Sequence, residues 1–230
     1  MKITSNTLVR NGMPFIDLVL RQVEPFVDEM IITQSLKSTD RTSKVIERFE
    51  KQFPVKTKVY FEDVEEPGML TNVREQQLKV SNSDWILFLD DDDYWPTSSL
   101  EQIVELIKKD EDVDGYSFTP LQVVDDKYHD KSWAHKGFTK LFRNRSGVHY
   151  ERNWPRDLIF KYEQPLYWKA NPRVKSVKIP FFHLSYIKGG SFREEDWACS
   201  FKHALGSKRT YQKKYKVEIN KLYEYIRRNK

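Results

Sequence analysis

Four consecutive aspartates, Asp90 to Asp93, follow an apolar run directly in the stretch WILFLDDDDYWP, residues 85–96. Carboxylates about 4 Å apart repel by roughly 4 kcal/mol per pair at an effective dielectric near 20. A chain that brings four of them to the end of a buried element needs something positive there. Hard oxygen ligands suit Mg2+ or Mn2+, which dehydrate reluctantly and are shared between one or two protein carboxylates and the phosphates of a substrate. The plain alternative is an acidic turn facing water, although a turn calls for Gly, Asn or Pro more than for four charges.

The elements that must position these carboxylates follow from apolar period. EMIITQ (29–34), TKVYFE (57–62) and WILFL (85–89) read as strands, the last buried on both faces. Val45, Ile46, Phe49 and Phe53 fall at helical spacing, as do Leu70, Val73 and Leu78. After the aspartates, SSLEQIVELIKK has an apolar helix face of Leu100, Ile103, Val104 and Ile107, with Ser98 and Glu101 in a capping-box pattern. Alternating strands and helices imply an α/β fold with a mostly parallel sheet and flanking helices. In the second half, GYSFTPLQVV, GFTKLFRN and VKSVKIPFFHLSY read as strands without regular helices between them, so antiparallel partners are expected to join the sheet. In open α/β sheets ligands collect beyond the carboxyl ends of the strands, which is where WILFL delivers its aspartates.

With 230 residues, 39% hydrophobic and 14% aromatic, the chain can fill one substantial core and is expected to be one domain with an appendage. No window approaches the roughly 18 apolar residues of a membrane span, and the first residues lack the apolar centre of a signal peptide. A single cysteine, Cys199, excludes an intrachain disulfide and a multi-thiolate zinc site, and fits a reducing cytoplasm. The net charge of +5 is uneven: residues 202–230 hold ten Lys or Arg against two Glu, a local +8. Tyr211, Tyr215, Leu222 and Ile226 give that segment an apolar stripe. Such a basic amphipathic segment can dock on the catalytic domain, join a second copy in a homo-oligomer, or touch an anionic membrane surface peripherally; docking is expected, because tyrosines dominate the stripe.

Asn11, Asp28 with Glu29, KSTDRT (37–42), Arg74, and Asp90 with Asp92 occur in an order that resembles the nucleotide-binding half of family 2 glycosyltransferases of the GT-A fold. The resemblance covers about Ile3 to Asp93. It implies an inverting transfer of a sugar from a nucleoside-diphosphate sugar to a saccharide, lipid-linked or protein acceptor, with Mn2+ or Mg2+ as cofactor. Asp92 would ligate the ion, with Asp90 supporting the ribose or the metal through water. The cation and Arg74 would stabilise charge developing on the leaving diphosphate. Asp40 matches an acidic residue near the base and equally fits a helix cap. Gln34 or Ser35 stands where the family commonly places an aspartate, Lys37 stands in place of a glycine and Arg41 in place of another, and a Gln34 amide can still bond a base edge.

KLFRNRSGVHYE (140–151) with WPRD (154–157), then HLSY (183–186), loosely resembles the lipopolysaccharide-core type branch. On that match His183 would complete the metal shell, and Asp157 would be the base that takes the acceptor proton. Glu151, Glu195 and Asp196 are the competing carboxylates. His183 also fits a packed core histidine, and Asp157 beside Arg156 fits a surface ion pair. The implied division is residues 1–93 for the donor, 94–196 for the acceptor, and 197–230 for the basic helical segment. Two other classes compete. A metal-dependent nucleotidyltransferase or phosphatase would use the same acidic strand end, but a haloacid-dehalogenase-like phosphatase wants Thr or Val where Tyr94 stands. A nucleic-acid binder acting through the basic tail would leave the aspartates unexplained, so a nucleic-acid partner is not expected.

Overall fold

The computed structural model describes residues 1–64, 69–109, 112–124, 127–129, 138–151, 158–161, 164–166, 171–184, 221–222 and 224–225. Strands β1 (Ile3–Val9), β2 (Glu29–Ser35), β3 (Thr57–Glu62) and β4 (Trp85–Asp90) alternate with helices α1 (Ile16–Val23), α2 (Thr42–Gln52) and α3 (Leu70–Val80). There follow β5 (Asp93–Tyr94), α4 (Thr97–Lys109), β6 (Gly115–Val124), β7 (Lys127–His129), β8 (Phe138–Arg143), β9 (Val148–Glu151), β10 (Leu158–Lys161), β11 (Gln164–Pro165) and β12 (Val174–His183). The main sheet runs β3-β2-β1-β4-β8-β6-β12-β5, with β7 beside β6, and β11-β10-β9 form a smaller sheet.

The neighbours among β3, β2, β1 and β4 pair in parallel, as do β6 and β12. β8 is antiparallel to both β4 and β6, so it is the expected reversed partner, and it leaves β4, β6 and β12 pointing the same way. Their carboxyl ends therefore share one edge of the sheet. β4 is buried on both faces: Trp85, Leu87 and Leu89 join the core beneath α1, α2 and α4, while Ile86 packs with Leu78 of α3, Phe142 and Tyr150 on the other side.

The step from β4 to β5 forces the sheet to curl. Asp90 closes β4 and Asp93 opens β5, and three residues of chain reach at most about 10–11 Å. In the sheet these strands are separated by β8, β6 and β12, which in a flat arrangement would set them about 19 Å apart at ~4.8 Å per strand. Only a curled sheet brings the end of β12 back to the end of β4. Trp95 fills the inside of that curl, fully buried, stacked on Phe181 at 4.5 Å and edge-on to Phe118 at 5.0 Å.

Two local findings depart from the sequence reading or add to it. Ser98 is not an N-cap, because the carbonyl of Pro96 already accepts the N–H groups of Ser99 and Leu100 at 2.8 and 3.1 Å. The helix thus begins at Thr97, and Ser98 lies in its first turn. Of the C-terminal stripe only Leu222 falls among the described residues; it is 2% exposed and belongs to the same core cluster as the α1 side chains. Burial and the Asp17 carboxylate raise the Tyr225 phenol, which places that ring beside α1. Among the described residues, no helix is long and apolar enough to cross a membrane.

At the amino ends of the strands, Asp28 and Glu29 fasten the sheet. Asp28 accepts the Ile3 N–H at 2.9 Å. Glu29 accepts Thr4 Oγ1 at 2.8 Å and the Asn82 N–H at 3.2 Å, and pairs with Lys58 Nζ at 2.5 Å. Burial would raise the Glu29 carboxyl, but the bonds from Lys58, Thr4 and Asn82 hold it below its ordinary value of 4.5. A lowered folded value means stabilisation that is present above pH 4.5 and lost as pH falls through the folded value. Glu29→Gln is therefore expected to cost about 1–2 kcal/mol at pH 7 and progressively less as pH falls below 4.5, checked by urea denaturation across that range.

At the opposite edge the β1–α1 turn is too tight for a side chain at Gly12. A Cβ there would meet Val9 Cγ2 at 2.6 Å, Ile16 Cβ at 2.9 Å and Asp91 Oδ2 at 3.2 Å. Gly12→Ala is expected to destabilise by about 1–3 kcal/mol and to displace Asp91, measured as a lower melting temperature than wild type.

Candidate functional site

The acidic run is a buried corner. Asp91 is 7% exposed, and Asp92 and Asp93 are both 0% exposed. This excludes the reading of a turn that merely faces water. Asp93 pairs with His183 across β5 and β12, and the Leu184 N–H donates to the Asp92 carbonyl at 2.8 Å, so the end of β12 clamps the second half of the run.

The chain supplies its own cations. Lys140 of β8, 6% exposed at its side chain, sets Nζ 2.6 Å from Asp90 Oδ2 and 2.6 Å from Asp93 Oδ2. Arg74 of α3 lies 3.7 Å from Asp90 Oδ1. Both cationic groups sit 4.4 Å from the centre of the Phe88 ring, whose face attracts positive charge. His183 Nδ1 meets Asp93 Oδ1 at 2.8 Å and lies 3.4 Å from Asp92 Oδ1. Burial alone would raise the Asp90 carboxyl; Lys140 and Arg74 outweigh it and hold Asp90 below the ordinary aspartate range. Burial would likewise lower the Lys140 ammonium, and the two carboxylates reverse this, keeping it above the ordinary lysine range. The expectation of a positive partner thus holds in an unforeseen form: protein cations occupy part of the cluster before any metal is considered.

Lys140 is the residue that the sequence reading missed. It stands in FTKLFR, a strand otherwise apolar or polar at its centre, and the signal was a lone lysine inside a central strand of a chain that must neutralise four aspartates. The donor atoms of Asp92, Asp93 and His183 lie within 4.8 Å of one another, a set of two carboxylates and an imidazole that suits a divalent ion. Asp93 completes that grouping, while Asp90 faces Lys140 and Arg74.

The loops after β1 and β2 are stitched together next to this corner. Asn11, in the left-handed region at φ 51°, accepts the Thr39 N–H on Oδ1 at 2.8 Å. Thr42 Oγ1 accepts the Gly12 N–H at 2.7 Å. Asp40 accepts the Thr42 N–H at 2.9 Å and the Met13 N–H at 3.0 Å, so both its oxygens hold backbone, as a cap does. Gln34, 3% exposed at the end of β2, donates its amide to Ser43 Oγ, and its Oε1 is buried with no hydrogen-bond partner among the described residues.

The candidate bases separate. Glu151 lies on β9 in the smaller sheet, exposed, with Oε1 2.9 Å from His149 Nε2. That bond, with the one to the Gly147 carbonyl, raises His149. Asp157, Glu195 and Asp196 lie outside the described residues.

Comparison with known proteins follows the same lines. The sequence model of the family described as Glycosyl transferase family 2 matches residues 14–185. Among curated proteins none matches. Among solved structures, S. aureus TarS 1-349 in complex with UDP-GlcNAc superposes with a TM-score of 0.58 at 16% identity, over 99% of this chain and 72% of that one. TarS 1-349 alone gives 0.57 at 16% identity, over 98% and 70%. The chain spans 43% of the longer S. aureus TarS structure, again with a TM-score of 0.57, at 17% identity. At these identities the likeness speaks for the fold, and the family match covers most of the sequence: the chain belongs to glycosyl transferase family 2 and has the GT-A fold.

Proposed function

We propose that this protein transfers a sugar from a nucleoside-diphosphate sugar to an acceptor hydroxyl, with inversion and with help from a divalent cation. The observation that carries the reading is the buried grouping of Asp92, Asp93 and His183 at the carboxyl edge of the sheet, with Arg74 beside Asp90. Within this grouping Asp92 and His183 would hold Mn2+ or Mg2+, Asp93 would hold the His183 ring in place, and Asp90 would be directed to the ribose or to the metal through water. A bound cation would offset the charge that develops on the leaving diphosphate. Arg74 adds a fixed positive charge on the same side.

The donor reading draws on the UDP-GlcNAc held by TarS. The buried Gln34 Oε1 is an acceptor that a base N–H can use, so an amide would do here what a carboxylate does elsewhere in the family. Asn11 and Asp40 would act by holding the two loops around the nucleotide. The acceptor half, from residue 94 to 196, would supply the base, with Asp157 first and Glu151, Glu195 and Asp196 as competitors. The acceptor would be a saccharide, a lipid-linked sugar or a protein in the cytoplasm, in a reaction resembling those of the lipopolysaccharide-core branch. Docking of the basic segment 197–230 on the catalytic domain draws its support from Leu222, which is buried in the same core cluster as the α1 side chains.

Two measurements test this. Asp92→Ala is expected to keep the fold and to lose about 10²–10³-fold in turnover, with wild-type hydrolysis of nucleotide sugars rising with Mn2+ and falling in EDTA. Equal wild-type rates in EDTA and Mn2+ would defeat the metal reading. Asp157→Asn should keep donor binding, followed by nucleotide titration, while turnover drops about 10²–10⁴-fold; normal turnover there and loss in Glu151→Gln, Glu195→Gln or Asp196→Asn would move the base to that residue.

A further inference from the structure

Lys140 bonds two members of the acidic run at once, through Asp90 Oδ2 and Asp93 Oδ2, and it comes from a strand that is remote in sequence. Its surroundings suit a permanent charge and little else. The side chain is 6% exposed, Phe88 lies 4.4 Å from Nζ and Phe181 5.7 Å, and both are apolar rings that exclude water while tolerating a cation on their faces. The same Asp93 carboxylate that receives Lys140 on Oδ2 receives His183 Nδ1 on Oδ1, so ammonium, carboxylate and imidazole form one connected chain across β8, β5 and β12.

Resting on the cation site proposed above, we infer that Lys140 is a positioning residue that reserves Asp90 and Asp93, so that the four-aspartate run takes one divalent ion, at Asp92 and His183, and not two. Two bonds at 2.6 Å commit one oxygen of each reserved carboxylate to the ammonium. The fixed positive charge also weakens the pull of the remaining carboxylates on a divalent ion, which keeps the ion exchangeable as nucleotide enters and leaves. Through Asp93 the lysine fixes where the His183 ring stands. Without it, Asp90 and Asp93 would each lose a bonded ammonium, and a second cation would be the natural replacement for the missing charge.

The test is Mn2+ titration of the whole chain by calorimetry and electron paramagnetic resonance, in wild type, Lys140→Gln, Lys140→Met and Lys140→Arg. The wild type is expected to take one Mn2+. Lys140→Gln and Lys140→Met are expected to bind Mn2+ at least tenfold more tightly or to take two ions, to gain more melting temperature from Mn2+ than wild type, and to lose turnover. Lys140→Arg should return stoichiometry and affinity toward wild type. A lysine that only stapled the fold would lower the melting temperature of the neutral variants and leave Mn2+ affinity and stoichiometry unmoved, and that result overturns the inference while sparing the cation site. Two ions in the wild type also overturn it, whether or not the variants fold. A wild type that binds no Mn2+ at all overturns the cation site and this inference together.

Discussion

Asp90 and Asp93 are three residues apart in the chain and four strands apart in the sheet, and one buried ammonium holds both. That constraint organises the molecule. It goes with a sheet that curls until β12 returns to β4, it draws on Lys140 from β8, the antiparallel strand between β4 and β6, and it brings His183 onto Asp93. A buried ion cluster of this kind costs desolvation that a hydrophobic plug would not, and removing one partner would leave an uncompensated charge worth several kcal/mol. Its presence at the carboxyl edge of the sheet is therefore better explained by chemistry than by stability.

The same edge is prepared from the other side by polar groups inside the sheet. β1 carries Thr4, Ser5, Asn6 and Thr7, none more than 2% exposed, in the middle of a parallel array. Gln77 of α3 donates to the Thr7 carbonyl at 2.8 Å and to Thr33 Oγ1 at 3.0 Å, and Ser81 donates to the Gln77 carbonyl at 2.7 Å with Asn6 Oδ1 lying 3.2 Å from the same hydroxyl. α3 is thus tied to β1 and β2 by hydrogen bonds as well as by packing, and Arg74 rides on that helix over Phe88. The loops beyond β1 and β2 are held by Asn11, Asp40 and Thr42 in the same manner. Hydrogen bonds from α3 and from the loops thus fix this side of the sheet, while apolar packing does so beneath α1, α2 and α4.

Reading the sequence alone, the apolar periods of β2, β4, α2, α3 and α4 are legible because each buries a face of fixed spacing, and the order of Asn11, Arg74, Asp90 and Asp92 carries the family resemblance; β3 is legible from its composition although Tyr60 and Phe61 stand exposed on the sheet edge. β1 is not legible that way: Thr, Ser, Asn and Thr have no apolar period, and in the fold Glu29 of β2 holds the Thr4 hydroxyl and Ser81 meets Asn6 Oδ1, whereas Ser5 Oγ, Asn6 Nδ2 and Thr7 Oγ1 are buried with no hydrogen-bond partner among the described residues. The identity of the cation beside the aspartates was also beyond the sequence. Charge repulsion demands a positive partner whatever its source, and a lysine fifty residues away becomes that partner only when an antiparallel strand is inserted between β4 and β6. Asp93 changed meaning for the same reason. In the sequence it is the fourth of four equal carboxylates; in the fold it joins Lys140 to His183, because β5 pairs with β12 and not with the strand it follows.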